Sequence, residues 1–298
     1  MVPMNPELVR LLDAQDGVAT SGQVLTFLTR RGLEACMKSD ALQKIWYGVY
    51  GRGKVDARLQ LRGLDLAAGK TVAVCLGTAA IAYGFDTEDT ADLHVLNPDG
   101  GQLRSADGLV VHRRRGAPLT VVADRPVTAP AWTAVEVARG LRRPRALATL
   151  DAALRSRTCS RDDLAQAATR QAGRRGIVIV RELLPLASEL AESPMESEAR
   201  LAMIVGGLPA PTLQHEIVDE NRLLWRVDFA WPEAMVAAEY ESVQWHAGAD
   251  ALRRDRNRYS ALQSVGWTVV PILAEDVRDR PWEMVAGIEA QLARARGA

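Results

Sequence analysis

Three cysteines in 298 residues leave little room for a disulfide framework. Cys36, Cys75 and Cys159 are widely spaced, odd in number, and form no Cys-x-x-Cys or Cys/His pattern. That excludes a zinc site of ordinary spacing and points to free, packed thiols in a reducing cytoplasm. Net charge is lacking as well: 37 Lys and Arg face 37 Asp and Glu, for a formal charge of +0. Bulk electrostatics therefore offer nothing to nucleic acid, and a basic face has to come from local clustering. No apolar run approaches the roughly 20 residues that cross a bilayer. The opening MVPMNPELVR lacks the apolar core of a signal peptide. The expected setting is the cytoplasm, with no membrane partner. There is no Gly-rich nucleotide loop, no Ser/His/Asp set, no internal repeat and no low-complexity tract.

What is present is globular: 48% hydrophobic and 25% charged residues, enough for a sizeable core. The length predicts two or three domains, with expected boundaries of 1–57, 58–190 and 191–298. The fold class is α/β in the broad sense, a mixture of α+β elements.

Asn5 caps a first helix with Pro6 at its first position, and Gly17 ends it. Val18 to Ser21 lead into a second helix through Val24, Leu25 and Leu28. Arg30-Arg31-Gly32 reads as the turn to a short third helix, Leu33 to Met37. Leu42 to Gly51 then read as a two-stranded ribbon. Three small helices and a ribbon outline a winged helix-turn-helix, in which a helix enters the major groove of double-stranded DNA and the ribbon touches its flank. Arg30, Arg31, Lys38, Lys44 and Arg52 are the candidate phosphate contacts. The same fold used for protein contact is the alternative, and Glu34 and Asp40 partly offset these bases.

In the middle, Leu93–Leu96 and Leu109–His112 read as strands, the first ended by the turn Asn97-Pro98-Asp99-Gly100. Helices follow over 133–139, 145–154 and 161–168, the last capped by Ser160. Arg113, Arg114 and Arg115 form either a solvated strand end or a second DNA-contacting patch. Arg139, Arg142, Arg143 and Arg145 add to that patch if they fold nearby. His94, His112 and His215 read as satisfied strand residues.

The densest chemistry lies in the last third. A helix over 195–204 precedes strands near 214–218, 223–229 and 235–241, a helix over 249–265, a strand over 268–272 and a helix over 281–295. Alternation puts Glu239 and Glu241 on one strand face. A hairpin across Trp231-Pro232-Glu233 brings Asp228 toward Glu239. Glu196 is a further carboxylate on the preceding helix, with Glu198 as its competitor. Such hard oxygens suit Mg²⁺ or Mn²⁺, which activates water for phosphodiester hydrolysis. The bland alternative, acids on a solvated edge strand, fits poorly with the apolar flanks Ala237, Ala238, Val243 and Trp245.

Several motifs occur together and in order: Ser193-Pro194-Met195-Glu196-Ser197, Asp228-Phe229-Ala230-Trp231-Pro232, Glu239-Tyr240-Glu241, Trp245-His246, Arg254-Asp255-Arg256 and Gly266-Trp267-Thr268-Val269. As a set, covering about 100 residues, they resemble the bacterial domain related to very short patch repair endonucleases, a branch of the PD-(D/E)xK nucleases. The resemblance implies a mixed central sheet flanked by helices, metal-dependent endonuclease activity with Asp228 as central ligand, and catalytic assistance from His246. The chain departs from ExK, carrying Glu241 at the lysine place. That leaves open a DNA-binding domain without turnover.

Residues 6–52 resemble the N-terminal winged helix of AbiEi-type antitoxins, through Gly17-Val18-Ala19-Thr20, Gly32-Leu33 and Trp46-Tyr47-Gly48-Val49-Tyr50. The middle resembles the rest of that family, through Gly77-Thr78-Ala79-Ala80 and Val127-Thr128-Ala129-Pro130-Ala131-Trp132-Thr133-Ala134. This implies a transcriptional repressor of a toxin–antitoxin or phage-defence operon, with a cognate toxin as a candidate partner. Three readings stand: a DNA endonuclease, an antitoxin-like repressor whose nuclease fold is inactive, and a protein that neutralises a toxin by contact.

Overall fold

The computed structural model describes residues 4–85, 91–114, 116–241 and 249–297, with side chains of 249–256 left out of the description. The architecture is mixed α and β, and the chain divides into two compact units. One contains residues 1–79 and 89–129, the other 80–88 and 130–298. The middle segment expected at 58–190 is thus shared between them.

In the first unit the order is α1 (Pro6–Ala14), β1 (Val18–Thr20), α2 (Ser21–Phe27), α3 (Arg30–Lys38), β2 (Gln43–Trp46) and β3 (Val49–Gly51). The strands form a small antiparallel sheet ordered β1-β3-β2. Leu8 and Leu12 of α1, Val24 of α2 and Leu33 and Cys36 of α3 bury one face each into a common core with Leu42. Each such leucine contributes about 1.5–3 kcal/mol on burial.

The turn expected at Arg30-Arg31-Gly32 is instead the first turn of α3. The Thr29 side chain accepts from the Gly32 N–H and caps the helix there, so a triplet that looks like a turn starts a helix. Likewise Val18–Thr20, expected as a lead-in, is a strand, and Thr20 closes a capping box with Gln23. Between β2 and β3, Gly48 takes a φ of 73°, a left-handed conformation suited to glycine, and leaves Tyr47 96% exposed at the ribbon turn.

α4 (Ala57–Ala68) packs on the same sheet, where the Trp46 indole donates to the Gln60 carbonyl at 2.8 Å. It continues into a layer built from β4 (Leu93–Leu96), β5 (Leu109–His112), β6 (Leu119–Val122) and β7 (Arg125–Thr128). β4 and β5 run parallel, β6 and β7 antiparallel, and Val74 bridges β4 at Val95 and β7 at Val127. Arg125 of β7 binds Asp65 of α4 through two nitrogens, at 2.9 and 2.6 Å.

α5 (Leu76–Ala82) carries the chain into the second unit, which opens with α6 (Pro130–Ala138), α7 (Arg143–Arg155), α8 (Arg161–Arg170) and α9 (Ile177–Leu183). α7 is buried almost all round, contributing Ala146, Leu147, Leu150 and Leu154 to one helical core. Gly176, at φ 82°, precedes α9 where a Cβ would fall 1.9 Å from the Arg139 carbonyl oxygen; any side chain there forces the backbone apart.

The same unit continues with α10 (Pro194–Val205), β8 (Thr212–Val218), β9 (Leu224–Trp231), β10 (Val236–Tyr240), α11 (Ala249–Ser264), β11 (Thr268–Ile272), α12 (Ala274–Arg278) and α13 (Pro281–Gly297). The sheet order is β11-β10-β9-β8, antiparallel except for the parallel β10–β11 pair. One sheet face packs Phe229, Trp231, Val236 and Ala238 against α10, α12 and α13. The other packs Val227, Ala230 and Ala237 with Leu262 of α11. Two buried ion pairs join α7 and α10: Arg200 to Asp151 at 2.7 Å and Arg145 to Glu198 at 3.3 Å. Among the described residues no helix is long and apolar enough to cross a membrane.

Candidate functional site

The candidate site forms where β9 and β10 part company. Their register runs Val236 opposite Trp231, Ala237 opposite Ala230 and Ala238 opposite Phe229, and ends there. Asp228 lies just past the last pair, and its Oδ2 accepts the Tyr240 backbone N–H at 2.9 Å. The carboxylate thus takes the place of a ladder carbonyl. On the other side, Gln214 of β8 has a left-handed φ of 51°. Its amide donates to Glu196 Oε2 at 3.1 Å and, weakly, to Asp228 Oδ1 at 3.5 Å. Ser193 caps α10 and fixes Glu196 in its first turn, where Glu196 Oε2 also accepts the Glu192 N–H.

Glu196 and Asp228 both titrate above the ordinary carboxylate range. Burial is the first cause in each, and at Glu196 the neighbouring Asp228 charge adds to it. Backbone hydrogen bonds to both acids pull the other way without prevailing.

Glu239 lies on β10 and Glu241 just beyond its end, and each is met by a side chain of α11. Arg258 donates to the Glu239 carboxylate and also to the Arg226 carbonyl at 2.5 Å, spanning the fork between β9 and β10. Tyr259 donates its hydroxyl to Glu241; burial, and then the Glu241 carboxylate, push its phenol far above the usual range. Arg226 reaches Glu192 at 2.7 Å.

The structure therefore brings Glu196 and Asp228 together, and places Asp228 and Glu239 on adjacent strands. Glu198 points elsewhere, toward Arg145, Arg142 and Arg278. His246 lies outside the described residues, as does Trp245. As a site for a divalent cation the arrangement fits poorly: the Gln214 amide is turned toward both Glu196 and Asp228, and Arg258 neutralises Glu239. Among the described residues no three His, Cys, Asp or Glu side chains are grouped to hold a metal. Gln214, Arg258 and Tyr259 have no local sequence signal; only the strand pairing and the docking of α11 give them their roles.

In the first unit, Arg30, Arg31 and Lys38 are exposed along α3 and Lys44 on β2. Lys44 sits 5.8 Å over the Tyr47 ring. Arg52 instead pairs with Asp13 at 2.5 Å. Arg113 is exposed and Arg114 half-buried after β5, while Arg115 is outside the described residues. Of the arginines considered for the same patch, Arg139 binds Glu136, Arg143 binds Glu182, and Arg142 and Arg145 turn to Glu198. The His94 and His112 rings stack across β4 and β5, with ring nitrogens 2.9 Å apart.

Two uncharacterised proteins from different strains of Mycobacterium tuberculosis are each 54% identical to this chain over 269 residues, 90% of the chain and 99% of their own length. The chain belongs to their family. Residues 72–186 match the family model of the AbiEi antitoxin C-terminal domain. The AbiEi match begins beside the Val74 bridge and ends after α9, so it covers the middle layer and the helical core. The carboxylate site on α10, β9 and β10 lies beyond it.

Proposed function

We propose that this chain is an antitoxin-type DNA-binding regulator, in which the first unit reads duplex DNA and the α10–β11 layer keeps a nuclease-like order without turnover. The observation that carries this reading is the AbiEi antitoxin match at residues 72–186. It follows, after the intervening α4, an α-β-α-α-β-β segment whose three-stranded sheet supports reading it as a winged helix. Arg30, Arg31 and Lys38 on α3 would meet phosphates beside the major groove, with Lys44 on the wing. The partner implied by the antitoxin family is a toxin protein encoded nearby. Binding of the purified chain to its own promoter, and rescue of cells from a toxin encoded next to it, test the reading together.

The second reading is metal-dependent phosphodiester hydrolysis. The Glu196–Asp228 pair on an α-β-β-β-α-β order favours it, with Glu239 completing the set for Mg²⁺ or Mn²⁺. It requires both the Gln214 amide and the Arg258 guanidinium to leave the carboxylates. Mg²⁺- or Mn²⁺-dependent nicking lost in Asp228→Ala would establish it.

A further inference from the structure

The ribbon turn of the first unit carries the most exposed large apolar side chain among the described residues, Tyr47 at 96%. Trp46 and Val49 face each other across β2 and β3, so Tyr47 and Gly48 alone make the turn. Gly48 supplies the left-handed φ of 73° that the turn demands. Position 47 carries no such demand, and a ring this exposed adds nothing to the core. Folding does not explain why an aromatic residue stands there.

The turn is also held firmly. The Gly48 carbonyl accepts the Ser21 N–H at 2.8 Å, which ties the tip to the first residue of α2. Behind it the Trp46 indole donates to Gln60 of α4. Gly63 of α4 lies so close to the ribbon that a Cβ there would meet Trp46 at 3.1 Å and Val49 at 3.3 Å. The Tyr47 backbone is thus ordered before any partner arrives, and a tyrosine with few rotatable bonds loses little entropy on contact. Lys44 of β2 sets its ammonium 5.8 Å over the ring. The tip therefore presents an apolar ring and a cation side by side, on a support fixed to α2.

We propose that Tyr47 is a nonionic DNA contact, its ring lying against the deoxyribose wall of the minor groove while Lys44 takes the adjoining phosphate. The inference rests on reading the first unit as a winged helix on duplex DNA. A sugar–phosphate strand offers an apolar sugar beside an anionic phosphate, which matches a ring with an ammonium next to it. The minor groove, about 6 Å wide, excludes a helix but admits a side chain carried on a narrow turn. Such a contact senses groove width rather than base identity. An uncharged ring displaces no counterions, so it adds affinity without adding to the salt dependence.

The test is fluorescence anisotropy of the full chain with a duplex carrying its own promoter, over a salt series. Tyr47→Ala should weaken binding about tenfold, the loss of one buried ring face, with the salt slope and the melting temperature unchanged. Tyr47→Phe should stay within about twofold of the wild type, because the ring is what makes the contact. Lys44→Ala should instead flatten the slope by about 0.9. Wild-type binding that Tyr47→Ala leaves intact overturns this proposal alone, and loss of toxin rescue in that variant would then assign the tip to protein contact. A loss that Tyr47→Phe shares, or one that comes with a changed slope, overturns it as well. No binding by the wild type overturns the DNA reading and this inference together.

Discussion

Arg258 lays one guanidinium nitrogen on both the Glu239 carboxylate and the Arg226 carbonyl, closing the fork between β9 and β10. The acid expected to serve a metal is therefore already neutralised from within the chain. Replacing Arg258 by methionine keeps the apolar stem and removes the charge. Glu239, which is buried, would lose a charged hydrogen bond, costing about 1.5–3 kcal/mol. Addition of Mn²⁺ should recover part of that loss in Arg258→Met and shift the wild type little, as read by thermal melting. An equal shift in both proteins would show that Arg258 does not block the cation.

Glu196 and Asp228 give the site a pH dependence of definite sign. Their folded pKa values lie above the unfolded ones. The stability they contribute is therefore complete below the unfolded carboxylate value, about 4, and is lost as pH rises through the folded values. Glu196→Gln should raise the melting temperature at pH 7, by about 2–4 °C per kcal/mol, and the gain should shrink toward pH 4. A gain of the same size at both values would remove the titrating pair as its cause.

Arg200 and Asp151 are nearly fully buried, and Asp151 also accepts the Ser188 N–H at 2.7 Å. Arg200→Met leaves a buried carboxylate without its cation, a loss of about 3–5 kcal/mol. Denaturant unfolding should show it as a large drop in midpoint. A drop under about 1 kcal/mol would mean the pair is a surface-type contact.

Much of the last hundred residues was legible because its caps and periods are local. Ser193 before Pro194 starts α10, and the strand expected over 235–241 is β10, Val236–Tyr240, which carries Glu239. β11 falls where its apolar run lies. Other elements gave no such signal. Ile177-Val178-Ile179-Val180 is β-branched, yet Ile177, Val180 and Leu183 are buried at helical spacing and make α9 a helix. β6 is largely exposed, with no buried alternate face to mark it. In the site, Asp228 was visible through the expected hairpin and its motif, and Glu196 as a further carboxylate on the preceding helix. Gln214 and Arg258 were not, since only β8–β9 pairing and the packing of α11 bring them to those acids.

For DNA, Arg30 and Arg31 stand at the start of α3 while Arg52 is held by Asp13. Arg30→Ala with Arg31→Ala should weaken binding to a promoter duplex and flatten the salt dependence by about 0.9 log units per lost phosphate contact. Arg52→Ala should change the slope less. Fluorescence anisotropy over a salt series reads both, and a larger effect from Arg52 would move the interface away from α3.

The central claim is a DNA-binding regulator without turnover. The most direct measurement follows binding and cleavage in one sample: supercoiled plasmid carrying the chain's own promoter, with purified protein and Mg²⁺ or Mn²⁺. The account predicts promoter-dependent retardation that is lost in the Arg30→Ala, Arg31→Ala variant and retained in Asp228→Ala, with the plasmid still supercoiled. Nicking that requires Asp228, or no retardation at all, would contradict it.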